Sequence, residues 1–453
     1  MVGDKPNQDI VMVGAGYVGL VTAVGLADLG HKVSCVEINK SRVEQLKDGK
    51  VPFQEPQVPE LLTKGMNNKK LEIFESLADA YNGQRYVFIA VQTPTGKDGK
   101  SDLTALFAAI TSIADTVTKP TLVIVKSTVP VGSFDLLEEL PAVKNSKNIT
   151  FVSCPEFLSE GTAVHGFFHP QRTIVGSDDQ SVSEEVAGLF YGLGGKFIVT
   201  DAKTAQMIKY TSNAFLATRV AFTNDISELC EKLDINANDV SKALIMDPRM
   251  GTSHLMPGMC FDGPCLPKDI AALIETGEKV GIPALLLKGV NEHNASHLNH
   301  IIETAKKLVG DGDTVAFYGL AFMPKTNDVR NAMGLKIIEA LAESGIKVRA
   351  TDPEAISVAK ELISHKNLTF VEDPFEAAQG SDVQLFITRW DEYKNIDLQK
   401  LGASVRTKQI YDLMQIIPEE EARANGFKYR AVGRAYGDAG SPVFELSENP
   451  ATV

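Results

Sequence analysis

Asp9-Ile-Val-Met-Val-Gly-Ala-Gly-Tyr-Val-Gly19 decides the fold. A short apolar run ends in glycines and passes into a helix-like pattern through Leu29, and a second apolar run, Lys32 to Ile38, follows at once. Strand, helix and strand in that order are the unit of a parallel sheet. The glycines Gly14, Gly16 and Gly19 allow a tight turn and close approach of backbone to a pyrophosphate seated on the helix N-terminus, with Tyr17 and Val18 between them. Glu37 ends the second strand. A carboxylate there accepts the adenosine ribose hydroxyls and repels a 2′-phosphate, so NAD is the expected cofactor rather than NADP. A Gly-rich turn alone is also a structural commonplace; the complete β-α-β-acid context carries the dinucleotide reading.

Outward from this unit, buried-strand runs recur at Tyr86–Val91, Thr121–Lys126, Thr150–Ser153 and Arg172–Gly176, with helical segments between them. Residues 1–201 therefore read as one doubly wound domain. Long helical patterns follow, at Ala205–Leu233, Asn238–Leu244, Ile270–Val280 and Ala284–Leu308, interrupted by the Pro/Gly/Cys-rich segment Met256–Lys268. Residues 202–310 read as a helical domain whose apolar stripes exceed what one chain covers, which predicts a two-fold homodimer. At Thr314 the α/β pattern restarts with Val315–Gly319, a helix around Gly334–Ser344, then Lys347–Asp352, Val383–Thr388 and Gln409–Asp412. The expected fold class is α/β: two Rossmann-like doubly wound domains, 1–201 and 311–453, joined by a helical dimerisation domain, with a loose tail after Gly437.

The charge of −13 over 453 residues argues against nucleic acid or an anionic membrane as a main partner, since both need a basic footprint. No stretch approaches a membrane span, and polar Met1–Asp9 lacks the apolar core of a signal peptide, so a cytoplasmic protein is expected. Five scattered cysteines, Cys35, Cys154, Cys230, Cys260 and Cys265, then read as reduced thiols.

Cys265 lies in Gly258-Met-Cys-Phe-Asp-Gly-Pro-Cys-Leu-Pro-Lys-Asp269. A nearby cation such as Lys268 lowers a thiol pKa and makes a nucleophile, whereas an ordinary cysteine is a small buried hydrophobe; the residues alone leave both open. Glu156 and Glu160, four apart, are compatible with one helix face at the ligand edge of the sheet. Lys209 and Asn213 place an amine and an amide one turn apart on a helix. His293, His297 and His300 share another helix face, but no carboxylate accompanies them, so they read as a polar stripe and no metal is assigned.

Taken in order, these motifs resemble the UDP-glucose/GDP-mannose dehydrogenase family from Ile10 to about Arg434. The resemblance runs through the glycine fingerprint, Val51-Pro-Phe-Gln-Glu-Pro56, Val91-Gln-Thr-Pro-Thr95, Lys126-Ser-Thr-Val-Pro-Val-Gly132 and Pro155-Glu-Phe-Leu-Ser-Glu160. It continues through Met207-Ile-Lys-Tyr-Thr-Ser-Asn-Ala214, Asp247-Pro-Arg-Met-Gly251, Gly263-Pro-Cys-Leu-Pro-Lys-Asp269, Gly319-Leu-Ala-Phe322 with Asp328-Val-Arg330, and Thr388-Arg-Trp-Asp-Glu-Tyr393. It implies an NAD-dependent, two-step oxidation of a nucleotide sugar at C6, with Cys265 carrying a thiohemiacetal and then a thioester. Lys209, Asn213 and Asp269 would stabilise oxyanions, Glu156 aided by Thr128 would activate water, and Glu160 would orient the ligands. It further implies cofactor contacts from Arg42, Thr93, Thr128, Glu160, Lys268 and Arg330. Substrate contacts would come from Phe157, Leu158, Glu160, Arg249, Phe261, Gly263 and Phe322, together with Lys209, Asn213 and Cys265.

Departures from the family pattern bear on substrate. Cys260 and Asp262 replace glycines, which would put two Cβ atoms where backbone usually approaches the sugar. Cys154 and Ser159 replace an Asn and an Arg, Met323 replaces a Lys, and Asp412-Leu-Met414 stands where Asp-Gly-Arg is usual, removing cations expected near sugar or phosphates. Arg249-Met-Gly251 favours the UDP-glucose branch and Asp412-Leu-Met414 the GDP-mannose branch; UDP-glucose is the preferred expectation. GDP-mannose, a UDP-N-acetylhexosamine, a two-electron hydroxy-acid type of reaction and a weakened nucleotide-sugar-binding protein are the alternatives.

Overall fold

The computed structural model describes residues 7–94, 96, 101–310 and 312–434; Met1–Pro6, Thr95 of the Val91–Thr95 motif and the tail after Gly437 lie outside them. Among the described residues, strands form two sheets. The first comprises β1 (Asp9–Val13), β2 (Lys32–Val36), β3 (Leu71–Phe74), β4 (Tyr86–Ile89), β5 (Thr121–Val125), β6 (Ile149–Ser153), β7 (Arg172–Gly176) and β8 (Lys196–Thr200). Their order is β3-β2-β1-β4-β5-β6-β7-β8, parallel except where Ser153 meets Gly176 between β6 and β7. Alternate residues feed opposite faces: Ile10 and Met12 join the layer with Leu20 and Val24, while Val11 joins the one with Leu106 and Ile110. With helices on both faces, β4 and β5 are buried along their whole length, hence their unbroken apolar runs.

The second sheet comprises β9 (Thr314–Tyr318), β10 (Lys347–Thr351), β11 (Leu368–Phe370), β12 (Val383–Phe386), β13 (Gln409–Asp412) and β14 (Lys428–Ala431), all parallel in the order β11-β10-β9-β12-β13-β14. Each sheet reverses strand order once beside its first strand, between β1 and β4 and between β9 and β12. Those reversals open ligand crevices at the carboxyl ends.

Between the sheets lie the helices Ala202–Leu233, Ala237–Met246, Leu266–Lys279 and Leu285–Lys307. Asp201 caps the first by accepting from the Thr204 N–H at 2.8 Å. Ala214, Ala217 and Ala221 are small enough for its close packing on Ile270 and Val290. On its open face, Phe215, Phe222, Leu229 and Leu233 are more than half exposed. Spacings of seven, seven and four keep them on one side. Among the described residues no helix is long and apolar enough to cross a membrane.

Candidate active site

At the first crevice the chain leaves β1 through Gly14, whose φ of +99° and 2.7 Å clearance between a notional Cβ and the Ala90 oxygen admit only glycine. A Cβ on Gly19 would run into the Gly14 carbonyl. At Gly16 it would meet nothing within 4 Å, so space stands open before the Tyr17–Asp28 helix, whose first turn has no side-chain cap. That is a cradle of free N–H groups for a pyrophosphate. Glu37 is buried at the end of β2 and accepts from the Asn39 N–H at 2.9 Å and from Arg42 Nη1 at 3.3 Å. A carboxylate has about four acceptor sites, so two remain for ribose hydroxyls. The cradle and the acid fit NAD.

Tyr17 packs on Phe53 with ring centroids 5.0 Å apart and donates its hydroxyl to Glu55, while Val18 lies against the domain core. Thr93 donates to the Thr128 carbonyl at 2.8 Å, joining the segments that follow β4 and β5. Thr128 thus enters the site through Thr93.

Cys265 occupies the N-cap position of the Leu266–Lys279 helix and is exposed; the other four cysteines are buried. Around it stands a set of buried charges. Lys209 and Glu156 form an ion pair at 2.9 Å, and Glu156 also accepts from the Leu158 N–H at 2.6 Å. Asn213 donates to Asp269 at 2.6 Å, Lys268 is paired to the same carboxylate, and the Asp269 N–H returns to the Cys265 carbonyl at 2.9 Å. Phe157 lies beneath both Lys209, 5.4 Å from its ring centroid, and Arg172, at 4.4 Å.

The electrostatics follow from these pairings. Burial favours a neutral Glu156, but Lys209 outweighs it and holds the carboxyl below its usual range; Lys209 is raised in turn, because Glu156 and Asp269 outweigh its own burial. Cys265 reverses the sequence-based expectation. Although its mouth is open to solvent, protein packed around the rest of the thiol pushes it up to about 11, with Glu156 adding to the rise and Lys209, Asp269 and Lys268 contributing with mixed signs. The neighbouring cations do not prevail because each is already neutralised, Lys209 by Glu156 and Lys268 by Asp269.

The far rim comes from the second sheet. Gly263, at φ +74°, lies so close to Phe322 that a Cβ would stand 2.6 Å from its ring. Arg330 pairs with Asp328 and stands 3.5 Å from Glu160, which accepts from the Thr326 hydroxyl at 3.2 Å. Burial and the adjacent Asp328 carboxylate raise Glu160 to about 7. Cys265 thus feels the charges of Glu156 and Lys209 on one side and of Arg330 on the other, where the two sheets meet the helical segment.

Known sequence families match all three regions. The UDP-glucose/GDP-mannose dehydrogenase family's NAD binding domain matches residues 8–193, its central domain 203–296 and its UDP binding domain 316–419. The chain belongs to this family. A UDP-glucose 6-dehydrogenase of Rhizobium meliloti strain 1021 is 35% identical over 435 residues, covering 94% of this chain and 99% of that protein. One of Bacillus subtilis strain 168 is 34% identical over 431 residues, covering 94% and 93%. The structure of a UDP-glucose dehydrogenase from the archaeon Pyrobaculum islandicum superposes with a TM-score of 0.87 at 31% identity, covering 95% of this chain and 99% of that one. The chain is an NAD-dependent nucleotide-sugar dehydrogenase.

Two expectations need correction within this family frame. Glu156 and Glu160 share no helix face: residues 154–159 are irregular, and the two carboxylates part, one to Lys209 and the other to Arg330. Phe261 turns into the helical core instead of opening onto the space beside Cys265. Its side chain is buried among Ala214, Ala217 and Ile270, and its N–H and carbonyl are both taken by Asn294 at 2.9 Å. Arg249 remains outside the set around Cys265 within one chain; its side chain is 82% exposed and bonds Asp247. Leu158 packs on the first domain's core.

Sequence reading gave no role to several supports. Glu55 accepts from the Gly161 and Ala163 N–H groups at 2.7 and 2.8 Å, fixing the loop that carries Glu156 and Glu160. Asn224 holds Gly258 and Met259, at 3.1 and 3.0 Å, as Asn294 holds Phe261. Glu55 stands in the family motif Val51-Pro-Phe-Gln-Glu-Pro56, whereas the two amides carry no sequence signal.

Proposed function

We propose that this enzyme oxidises UDP-glucose at C6 to UDP-glucuronate in two steps, with Cys265 as covalent nucleophile. The observation that carries this reading is the single exposed thiol among the described cysteines, set at a helix N-terminus and ringed by Lys209, Asn213, Glu156 and Asp269. The names of the relatives, UDP-glucose 6-dehydrogenases at 34–35% identity over almost the whole chain, support the substrate.

The glycine turn, Tyr17, Val18, Glu37, Arg42, Thr93 and Thr128 would hold the dinucleotide on the cleft's first wall, with Glu160, Lys268 and Arg330 at its edge. Bound NAD⁺ supplies the hydride acceptor for each of the two oxidations. In the first oxidation C6 loses a hydride and its hydroxyl proton passes to water, while Lys209 and Asn213 polarise the C6 oxygen as it gains carbonyl character. The Cys265 sulfur adds to the aldehyde carbon while its proton passes to the carbonyl oxygen, giving a thiohemiacetal that cannot diffuse away. Loss of the second hydride and of the hydroxyl proton leaves a thioester. Glu156, aided by Thr128, takes a proton from water as that water attacks; the thiolate leaves, is reprotonated, and carboxylate is released. Phe157, Leu158, Gly263 and Phe322 shape the sugar pocket, and Arg249, exposed on its own chain, serves the neighbouring subunit of a homodimer built on residues 202–310.

Counting NADH per UDP-glucose tests the reading: two are expected per uronate released, and one or none would refute it. Cys265→Ser should lower turnover by several orders of magnitude while nucleotide-sugar binding persists, because a serine hydroxyl is a far poorer nucleophile. Cys260→Ala, whose parent thiol is buried, should retain most activity. Equal loss in both variants would remove Cys265 from the chemistry.

A further inference from the structure

Away from the cleft, the helices Ala202–Leu233 and Leu285–Lys307 face each other through three acid–histidine rungs. Asp225 stands 3.8 Å from His293 Nδ1, Glu228 2.6 Å from His297 Nδ1, and Glu231 2.9 Å from His300 Nε2. The rungs are not equivalent. Glu231 is fully engaged, since it also accepts from the Gly433 N–H at 2.9 Å and faces Arg430 at 3.8 Å. His293 Nε2, by contrast, is buried without a hydrogen-bond partner, and such an atom needs an explanation. His297 is fully buried, with Nε2 2.9 Å from the Gly258 carbonyl and Nδ1 turned to Glu228. One donor atom from each of Glu228, His293 and His297 lies within 4.8 Å of the other two.

We propose that Glu228, His293 and His297 bind a divalent transition-metal ion of the zinc class, with water completing the coordination. Two imidazoles spaced i, i+4 on one helix reach a common ion, and two nitrogens with one carboxylate suit zinc better than magnesium or calcium. Donors of a tetrahedral zinc lie about 3.3 Å apart, so the cluster needs only rotamer adjustments, and the close Glu228–His297 pair opens slightly as the ion replaces their shared proton. The Gly258 carbonyl, by accepting from His297 Nε2–H, fixes the tautomer that leaves Nδ1 free for metal, which is the usual orienting contact behind a histidine ligand. By spacing alone the histidines lacked a carboxylate. Glu228 supplies it from 69 residues away. Gly258 opens the segment that leads to Cys265, so the ion would clamp two helices and, through one carbonyl, the base of the nucleophile's loop.

The test uses the full chain carrying Cys265→Ser, which removes the exposed thiol as a rival ligand, after treatment with chelator. Titration with Co²⁺, followed by visible absorption, should show saturation at one equivalent with the intense bands of low-coordinate cobalt, reversed by Zn²⁺. His293→Ala and Glu228→Gln should each weaken uptake at least tenfold and abolish the zinc-induced rise in Tm. His300→Ala, on the neighbouring rung, should keep both. His293 is the preferred position because its unpartnered nitrogen leaves no broken hydrogen bond behind, and circular dichroism verifies folding. Absence of uptake, or equal loss in His300→Ala and His293→Ala, would overturn the site.

Discussion

Lys209→Met removes the cation from the buried pair beside Cys265. At 2.9 Å the two charges attract by about 6 kcal/mol at an effective dielectric of about 20, while burying each ion costs several kcal/mol. The intact pair therefore contributes little net stability, but its halves are costly alone. Lys209→Met should destabilise the chain by about 3–5 kcal/mol, because Glu156 is left charged and buried without its counter-ion. Adding Glu156→Gln should recover most of that loss, and chemical denaturation of the four proteins in the cycle measures the coupling. The pair also sets limits in pH. Glu156 is depressed, so its contribution is complete above 4.5 and fails as acid carries the medium through its lower folded value. Lys209 is raised, so its contribution is complete below 10.5 and fails as pH climbs through its higher folded value. The same pair acts on the thiol with opposite signs. Iodoacetamide alkylation of Cys265 should move to higher pH in Lys209→Met and to lower pH in Glu156→Gln, from a starting value of about 11. Shifts in the same direction, or a loss below about 1 kcal/mol in Lys209→Met, would refute the coupling.

Glu37→Ala should erode the preference for NAD over NADP, measured as the ratio of kcat/KM values, by removing the acceptor of the ribose hydroxyls and the repulsion of a 2′-phosphate; an unchanged ratio would reassign Glu37. Glu160 binds its proton more tightly folded than unfolded, so its contribution to stability is complete below 4.5 and lost as pH rises through about 7. Glu160→Gln should flatten that part of the pH–stability curve, though not entirely, because burial likewise raises Asp262 to about 7 and Asp412 to about 6. Light scattering should find two chains per particle, and Phe222→Asp with Leu229→Asp, on the exposed stripe, should yield monomers; a wild-type monomer would count against the homodimer.

How far the sequence foretold this arrangement depended on burial. Every strand read from it lies inside a sheet, where burial on both faces forces an apolar run, as in Tyr86–Ile89 and Thr121–Val125. The four strands it did not reveal, β3, β8, β11 and β14, are the four edges of the two sheets. Edge strands pair on one side only and tolerate polar residues; Lys196–Phe197–Ile198 is exposed and Leu368–Phe370 is three residues long. Helix placement was legible for the same reason, since Ala205–Leu233 carries a periodic stripe that must be covered. At the site, Gly14, Gly16, Gly19, Glu37 and Cys265 followed from local pattern. The partners of Lys209 and Asn213 did not, because Glu156 and Asp269 come from other segments and no periodicity links them.

The same distinction explains the two family glycines replaced in the loop before Cys265. By sequence, Cys260 and Asp262 threatened the sugar with two added Cβ atoms. In the folded chain both side chains are spent on protein: the Cys260 thiol donates to the Asn294 carbonyl at 3.3 Å, and Asp262 accepts the Met333 N–H at 3.1 Å, at the first turn of the Met333–Glu343 helix. A carboxylate there meets the positive end of a helix. The substitutions therefore fasten the loop to the helix bundle on one side and to the second sheet's domain on the other, while Gly263 keeps the close approach to Phe322 that a side chain would forbid. In an irregular loop a side chain's direction follows no period, so residue identity revealed the added bulk but not where it points. With both side chains held by protein, the departures from the family pattern that remain include those at Met323 and Met414. Met414 keeps a cation close all the same, because its backbone carbonyl accepts from Arg389 Nε at 3.0 Å.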